Sequence, residues 1–192
     1  MTITLRQTWI AVRFLVVMTV ILGIVYPTAM WAVGRVVPGR ADGSFVTDAS
    51  GKVVGSSLIG QSFSDPKWFW PRASAAGKGY DGLSSSGSNL SASNPDQVKA
   101  VADRKAAAAA ADGVSPASVP PDAVTASGSG LDPDISPAYA AEQASRVAKA
   151  RNLPLASVLA LIDANTTGRT LGFMGEPRVD VLQLNLALEQ MK

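Results

Sequence analysis

Any chemistry in this chain has to proceed without imidazole or thiol. Its 192 residues include no His and no Cys, which excludes a Ser-His-Asp triad, a cysteine nucleophile and the usual zinc sites. Carboxylates, Lys, Tyr and Ser remain, but no spacing singles out a Ser-Lys dyad or an acid/base pair. The expectation is a protein with no catalytic residue and no metal ligand of its own.

Two Gly/Ser-rich stretches have the composition of anion cradles. Gly55 to Ser62 (GSSLIGQS) has the spacing of a phosphate-binding loop but carries Gln61 where a lysine must reach the β and γ phosphates. Without that cation it is a decoy. Leu83 to Asn89 (LSSSGSN) faintly echoes the signature loop of ATP-binding cassettes, whose small residues let backbone N–H groups approach a phosphate. The same composition also makes an ordinary turn-rich loop. A third candidate set is aromatic: Trp68, Phe69, Trp70 and Tyr80 lie among Gly, Ser and Pro between Gln61 and Asn94. They either stack on a ligand or partner, or seal the loop onto the core.

The elements that position these residues begin with Phe14 to Gly34 (FLVVMTVILGIVYPTAMWAVG), an uncharged run bracketed by Arg13 and Arg35. At about 1.5 Å per residue this run reaches roughly 31 Å, matching the roughly 30 Å hydrocarbon core of a bilayer. Trp9 and Trp31 sit near its ends, where indoles anchor at the headgroup layer. Pro27 removes a backbone donor and is expected to kink the span. The competing reading is a cleaved signal peptide, with Ala32-Val33-Gly34 as the small-residue cleavage site. A signal core is shorter than this run, which favours a retained anchor. Arg6 and Arg13 precede the span and Arg35 and Arg40 follow it, a tie under the positive-inside rule. The free amino group tips the amino terminus toward the cytoplasm and the bulk of the chain outside. The expected organisation is a cytoplasmic segment 1–13, a transmembrane helix 14–34 and one extramembrane domain 35–192.

The net charge of +2 comes from 17 basic and 15 acidic residues. With Arg6, Arg13 and Arg35 set aside as membrane flanks, the balance is slightly acidic, so no nucleic-acid partner is expected. Phe45-Val46 and Val53-Val54 outline a hairpin around Asp48 to Gly51. Asn94-Pro95-Asp96 starts a helix through Ala111 that Gly113 ends. Ala123 to Ala126 is a short strand candidate. Ser136-Pro137 opens a second helix, with Ala140, Ala144, Val147 and Ala148 on one face and Glu142 paired to Arg146 at i,i+4 on another. A third helix places Leu155, Val158, Leu159 and Ile162 on one stripe and stops near Gly168. These two helices read as a plain hairpin rather than a DNA-reading helix-turn-helix. Val179 to Val181 gives a last strand and Leu182 to Met191 a closing helix. The order points to an α+β fold: one N-terminal transmembrane helix followed by a single mixed α/β domain.

Gly55 to Phe63 (GSSLIGQSF), Val119 to Leu153 and Gly175 to Leu188 (GEPRVDVLQLNLAL) resemble the signature blocks of the C chain of the bacterial Kdp potassium-transporting ATPase. The likeness runs nearly end to end and includes Val25-Tyr26-Pro27 and the loop from Ser88-Asn89-Leu90 to Asn94-Pro95. It implies a non-catalytic subunit of a complex in the cell inner membrane. In that complex an A chain conducts potassium, a B chain hydrolyses ATP, a small F chain is also present, and the C chain serves assembly and activity as a catalytic chaperone that raises the ATP affinity of the B chain. By the same resemblance Ser86, Gly87, Ser88 and Asn89 are candidates for nucleotide or partner contact, with ATP bound with or by the B chain. Where many family members have His, this chain has Asp134 and Asn165, and Ser86 stands where a second glycine is usual. A rival of another class is a stand-alone membrane-anchored periplasmic domain that binds a ligand through its aromatic residues.

Overall fold

The computed structural model describes residues 2–191. The chain divides into two compact units, one ending at Ser44 and the other starting at Phe45.

The first unit is a helix running from Ile3 to Val36, apolar and long enough to cross a membrane. It comprises α1 (Ile3–Val20), a π-helical turn (Ile21–Val25) and α2 (Tyr26–Val36). The π turn lies just before Pro27. Proline has no N–H for the carbonyl four residues back, and the Tyr26 N–H reaches Ile21 O, five back, instead. The irregularity expected at Pro27 thus takes the form of a widened turn. None of its apolar side chains is buried by this chain. A short turn, α3 (Pro38–Ala41), follows, and Arg35 lies 3.7 Å from Asp42.

The second unit opens with the expected hairpin. Strands β1 (Phe45–Thr47) and β2 (Val53–Ser56) pair antiparallel, with Val46 opposite Gly55. Asp48 Oδ1 fixes the turn by accepting from the Ser50 and Lys52 N–H groups at 2.8 and 3.1 Å. An irregular segment without helix or strand then leads to α4 (Pro95–Asp112). The Asn94 side chain caps α4 by accepting from Asp96 N, and Gly113, at φ 69°, ends it in the left-handed conformation glycine tolerates.

Ala123 to Ala126 does not form the expected strand. Pro121 presets a helical φ at the first position of a single turn, α5 (Pro121–Val124), and the Thr125 hydroxyl donates back to Pro121 O at 2.8 Å. Strand β3 (Asp134–Ile135) follows. Helix α6 (Pro137–Arg151) starts on the Ser136 cap, and Ala140, Ala144, Val147 and Ala148 are all buried, as their spacing predicts. The Glu142–Arg146 pair does not form: Arg146 turns inward to Asp112 instead.

Helix α7 (Leu155–Ala164) packs on α6 as a helical hairpin. Val158 and Ile162 are buried, but Leu155 and Leu159 stay substantially exposed, so only half the expected stripe faces the core. α7 ends before Gly168 because the Asn165 side chain donates to Leu161 O at 2.8 Å and β4 (Thr166–Thr167) begins. Strand β5 (Arg178–Asp180) pairs with both β3 and β4, all antiparallel, in the order β3-β5-β4. Val181 belongs to the last helix rather than to the strand, since the Asp180 carboxylate caps α8 (Val181–Glu189) by accepting from Gln183 N at 2.9 Å. The strands β3 and β4, too short for periodicity to reveal, close the α+β architecture. The core gathers Phe69, Ile135, Val147, Val158, Val179, Leu184 and Leu188.

Candidate functional site

The loop Ser86 to Asn89 is stitched to a second loop, Ser127 to Gly130. Ser86 N donates to Ser129 O at 2.9 Å, and the Ser85 hydroxyl donates to the same oxygen. Gly87 lies so close to the second loop that a Cβ there would stand 2.9 Å from Gly128 O. Gly130, at φ 67°, admits no Cβ either, because Ser86 O and Ala76 N would each be 2.6 Å away. Ser74 ties the pair down: its hydroxyl donates to Gly130 O at 2.6 Å and accepts from Tyr80 N at 2.8 Å. Ser86 stands without strain, and its hydroxyl donates to Gly87 O. Among the described residues the N–H groups of Gly87, Ser88 and Asn89 have no acceptor within the chain, and Asn89 takes a positive φ of 53°. Three free donors on a fixed loop are what an acceptor ligand or a partner carbonyl can use.

The decoy reading of Gly55 to Ser62 gains a geometric reason. No helix follows it until Pro95, so no helix N-terminus faces a phosphate there. Gln61 Nε2 donates to Val54 O at 3.0 Å, and Gly60 N to Leu131 O at 2.8 Å. Gly60 is required by packing, since a Cβ would lie 2.4 Å from Asp132 O.

The four aromatic residues do not share one face: Trp70 and Tyr80 line an apolar cleft of about 310 Å³ with Phe63 and Tyr139, while the others are engaged elsewhere. Phe69 is fully buried in the core. Arg146 stacks on the Trp70 ring at 4.0 Å, and Arg151 on Trp68 at 4.2 Å. Tyr80 donates to Arg72 O, and burial pushes its phenol up to about 12. The segment is held by two side-chain amides. Asn185 accepts from Phe69 N at 2.8 Å and donates to Phe69 O at 3.0 Å. Gln143 accepts from Trp70 N at 2.6 Å and donates to Trp70 O at 3.1 Å. Arg146 completes the clamp, with Nε on Asp112 Oδ1 at 2.7 Å and its other nitrogens on Pro66 O, Trp68 O and Gln143 Oε1. Sequence reasoning passed over Gln143, Asn185 and Asp112, and gave Arg146 a different partner, Glu142. The available signal was a carboxamide inside an apolar helical stripe: Gln143 beside Ala144, and Asn185 beside Leu184.

Two of the acidic residues near Ser136, Asp122 and Asp132, accept from backbone N–H groups. Asp122 accepts from Ser136 N at 2.7 Å, and Asp132 accepts from Asp134 N at 3.0 Å and from Arg72 at 2.9 Å. Asp134 faces Arg178 at 3.1 Å; burial raises its carboxyl, with the Arg178 charge opposing. These residues line a polar groove of about 450 Å³ in which both signs of charge are interspersed. Asn165 is used on its own helix end.

The sequence profile of the family described as KdpC, the K+-transporting ATPase c chain, matches residues 8–190. The chain is 56% identical over 184 residues to the potassium-transporting ATPase KdpC subunit of Kineococcus radiotolerans, covering 96% of this chain and 93% of that protein. The proteins of the same name from Caulobacter vibrioides and Beijerinckia indica are 53% and 49% identical, covering 89% and 91% of this chain and 86% and 89% of theirs. Together with an N-terminal helix fit to anchor an α+β domain, these matches place the chain in the KdpC family, the c chains of the K+-transporting ATPase.

Proposed function

We propose that the chain acts as the non-catalytic C subunit of a high-affinity, ATP-driven potassium uptake complex. The observation that carries this reading is the family match over nearly the whole chain, on a protein whose polar side chains are used in its own architecture. Phe14 to Gly34 anchors it in the cell inner membrane, with the amino terminus in the cytoplasm and the domain outside. There it sits beside the potassium-conducting A chain, over the outer mouth of the ion path, and is needed with the B and F chains for assembly and activity.

On this topology ATP stays with the hydrolysing B chain on the far side of the bilayer. Any rise in the nucleotide affinity of the B chain, the catalytic-chaperone role, is then transmitted through the span. The free N–H groups of Gly87, Ser88 and Asn89 serve a partner subunit's acceptors rather than a nucleotide. The rival stand-alone ligand binder loses support because Phe69 is in the core and Trp68 and Trp70 each stack with an arginine of the domain, so the four aromatic residues offer no shared binding face.

A membrane-impermeant thiol reagent tests the topology. Ser50 is exposed and the chain has no other thiol, so a Ser50→Cys variant carries one reactive group. Labelling in intact cells is expected. Labelling only after the membrane is permeabilised would place the domain with the nucleotide and restore direct ATP contact.

A further inference from the structure

Residues 167–178 are all exposed, and they form an arm rather than a loop lying on the domain. Its base is the β4–β5 ladder. Its tip is a second ladder step in which Thr170 and Met174 exchange both backbone hydrogen bonds at 2.9 Å. Leu171, Gly172 and Phe173 form the three-residue turn between them, the first two with φ values of 55° and 82°. Asn and Gly are the residues that tolerate a positive φ best. A leucine there is under backbone strain, and it points 79% exposed into solvent. Phe173 and Met174 stand beside it at 71% and 52% exposure.

Among the described residues these three side chains are left largely uncovered, yet their backbone is hydrogen-bonded. A bare two-stranded ribbon is marginal in water, and this one is braced by an Arg169–Glu176 ion pair at 2.5 Å and an Arg178–Asp134 pair at 3.1 Å. Those same pairs say what the tip fits. A lipid surface would be met by free Lys or Arg and by Trp or Tyr, whereas here the flanking arginines are neutralised within the chain and the aromatic residue is Phe. Phe and Met are enriched at the buried centres of protein interfaces. We infer that the arm seats Leu171, Phe173 and Met174 in an apolar cleft of another subunit of the transporter. The inference rests on the reading of this chain as a subunit and goes beyond it by naming the contact.

The test uses the assembled complex, drawn out in mild detergent by a tag on this chain. A Leu171→Asn, Phe173→Ser variant gives the turn its preferred residue while removing the apolar tip. Recovery of the other subunits should fall at least about 5-fold, while the melting temperature of the isolated variant holds or rises. Full recovery overturns the inference, and so does a fall in melting temperature, which would assign the tip to the fold. Separately, a Phe173→Cys variant carries the single thiol of the chain and accepts a benzophenone maleimide. Illumination should yield an adduct with another subunit; adducts only with lipid or with a second copy overturn the inference. Wild type that brings down no other subunit would overturn the subunit reading as well, whereas wild type and variant recovering partners equally overturns the arm alone.

Discussion

Asn185 and Phe69, 116 positions apart, are joined by two hydrogen bonds, from Phe69 N to Asn185 Oδ1 at 2.8 Å and from Asn185 Nδ2 to Phe69 O at 3.0 Å. The carboxamide on α8 thus replaces the neighbouring strand that an irregular segment lacks, and it does so where both residues are buried. An Asn185→Ala variant leaves a buried donor and a buried acceptor unpaired, so it is expected to cost about 3 kcal/mol. Denaturant titration of the full chain in detergent checks this. A loss under about 1 kcal/mol would mean that water replaces the amide.

Arg146 and Asp112 form the one deeply buried ion pair among the described residues, with side chains 7% and 0% exposed. Arg146→Met strands a buried carboxylate and is expected to destabilise the chain by about 4 kcal/mol. Arg146→Lys should restore little, since one ammonium cannot satisfy Asp112, Pro66 O, Trp68 O and Gln143 at their fixed positions. Combining Arg146→Met with Asp112→Leu should cost less than the sum of the two single changes, a coupling that a double-mutant cycle reads directly.

Glu142 makes the opposite contribution. Burial raises its carboxyl above the ordinary value of 4.5, with Asp112 and Asp122 adding to it, and Oε1 has no partner. A folded-state value above the unfolded one means that the ionised form works against folding. The stability this group contributes is present below about pH 4.5 and is lost as pH rises through its folded value. Glu142→Gln should therefore stabilise the chain at pH 7, by only about 0.5 kcal/mol because the residue is partly solvated. The gain should shrink as the pH falls toward 4.5. Melting curves at pH 4.5 and 7 check it, and a gain that grows in acid would contradict the assignment.

The acidic groove beside Ser136 offers a functional counterpart. Asp132 holds Arg72 and the Asp134 N–H, and the Asp134 carboxylate holds Arg178, so both are engaged within the domain rather than left to draw potassium ions toward it. An Asp132→Asn, Asp134→Asn double variant is expected to lower the melting temperature while leaving the apparent potassium affinity of the whole complex within about twofold. A marked loss of potassium affinity at unchanged stability would instead assign these carboxylates a part in drawing in the cation.

The sequence made legible whatever local physics decides. The caps at Asn94, Ser136 and Gly113, the Asp48 turn and the small-residue face of α6 all follow from spacing alone. Long-range burial decided the remainder. The i,i+4 rule paired Glu142 with Arg146, but a desolvated guanidinium needs more acceptors than one surface carboxylate supplies, and it found them around Asp112. Ala123 to Ala126 has the composition of a strand, yet Pro121 and the Thr125 hydroxyl close a helical turn first. The loop at Ser86 to Asn89 was visible as a Gly/Ser run, while its pairing with Ser127 to Gly130, some 40 residues on, was not.

In its proposed function this chain assists transport without making or breaking bonds itself. Potassium-stimulated ATP hydrolysis, measured on the purified chain, on the complete complex and on the complex assembled without this chain, tests it most directly. No hydrolysis by the chain alone, full activity of the complete complex and loss of the stimulated rate when the chain is missing are expected. Turnover by the chain alone, or an undiminished rate without it, would overturn the proposed function.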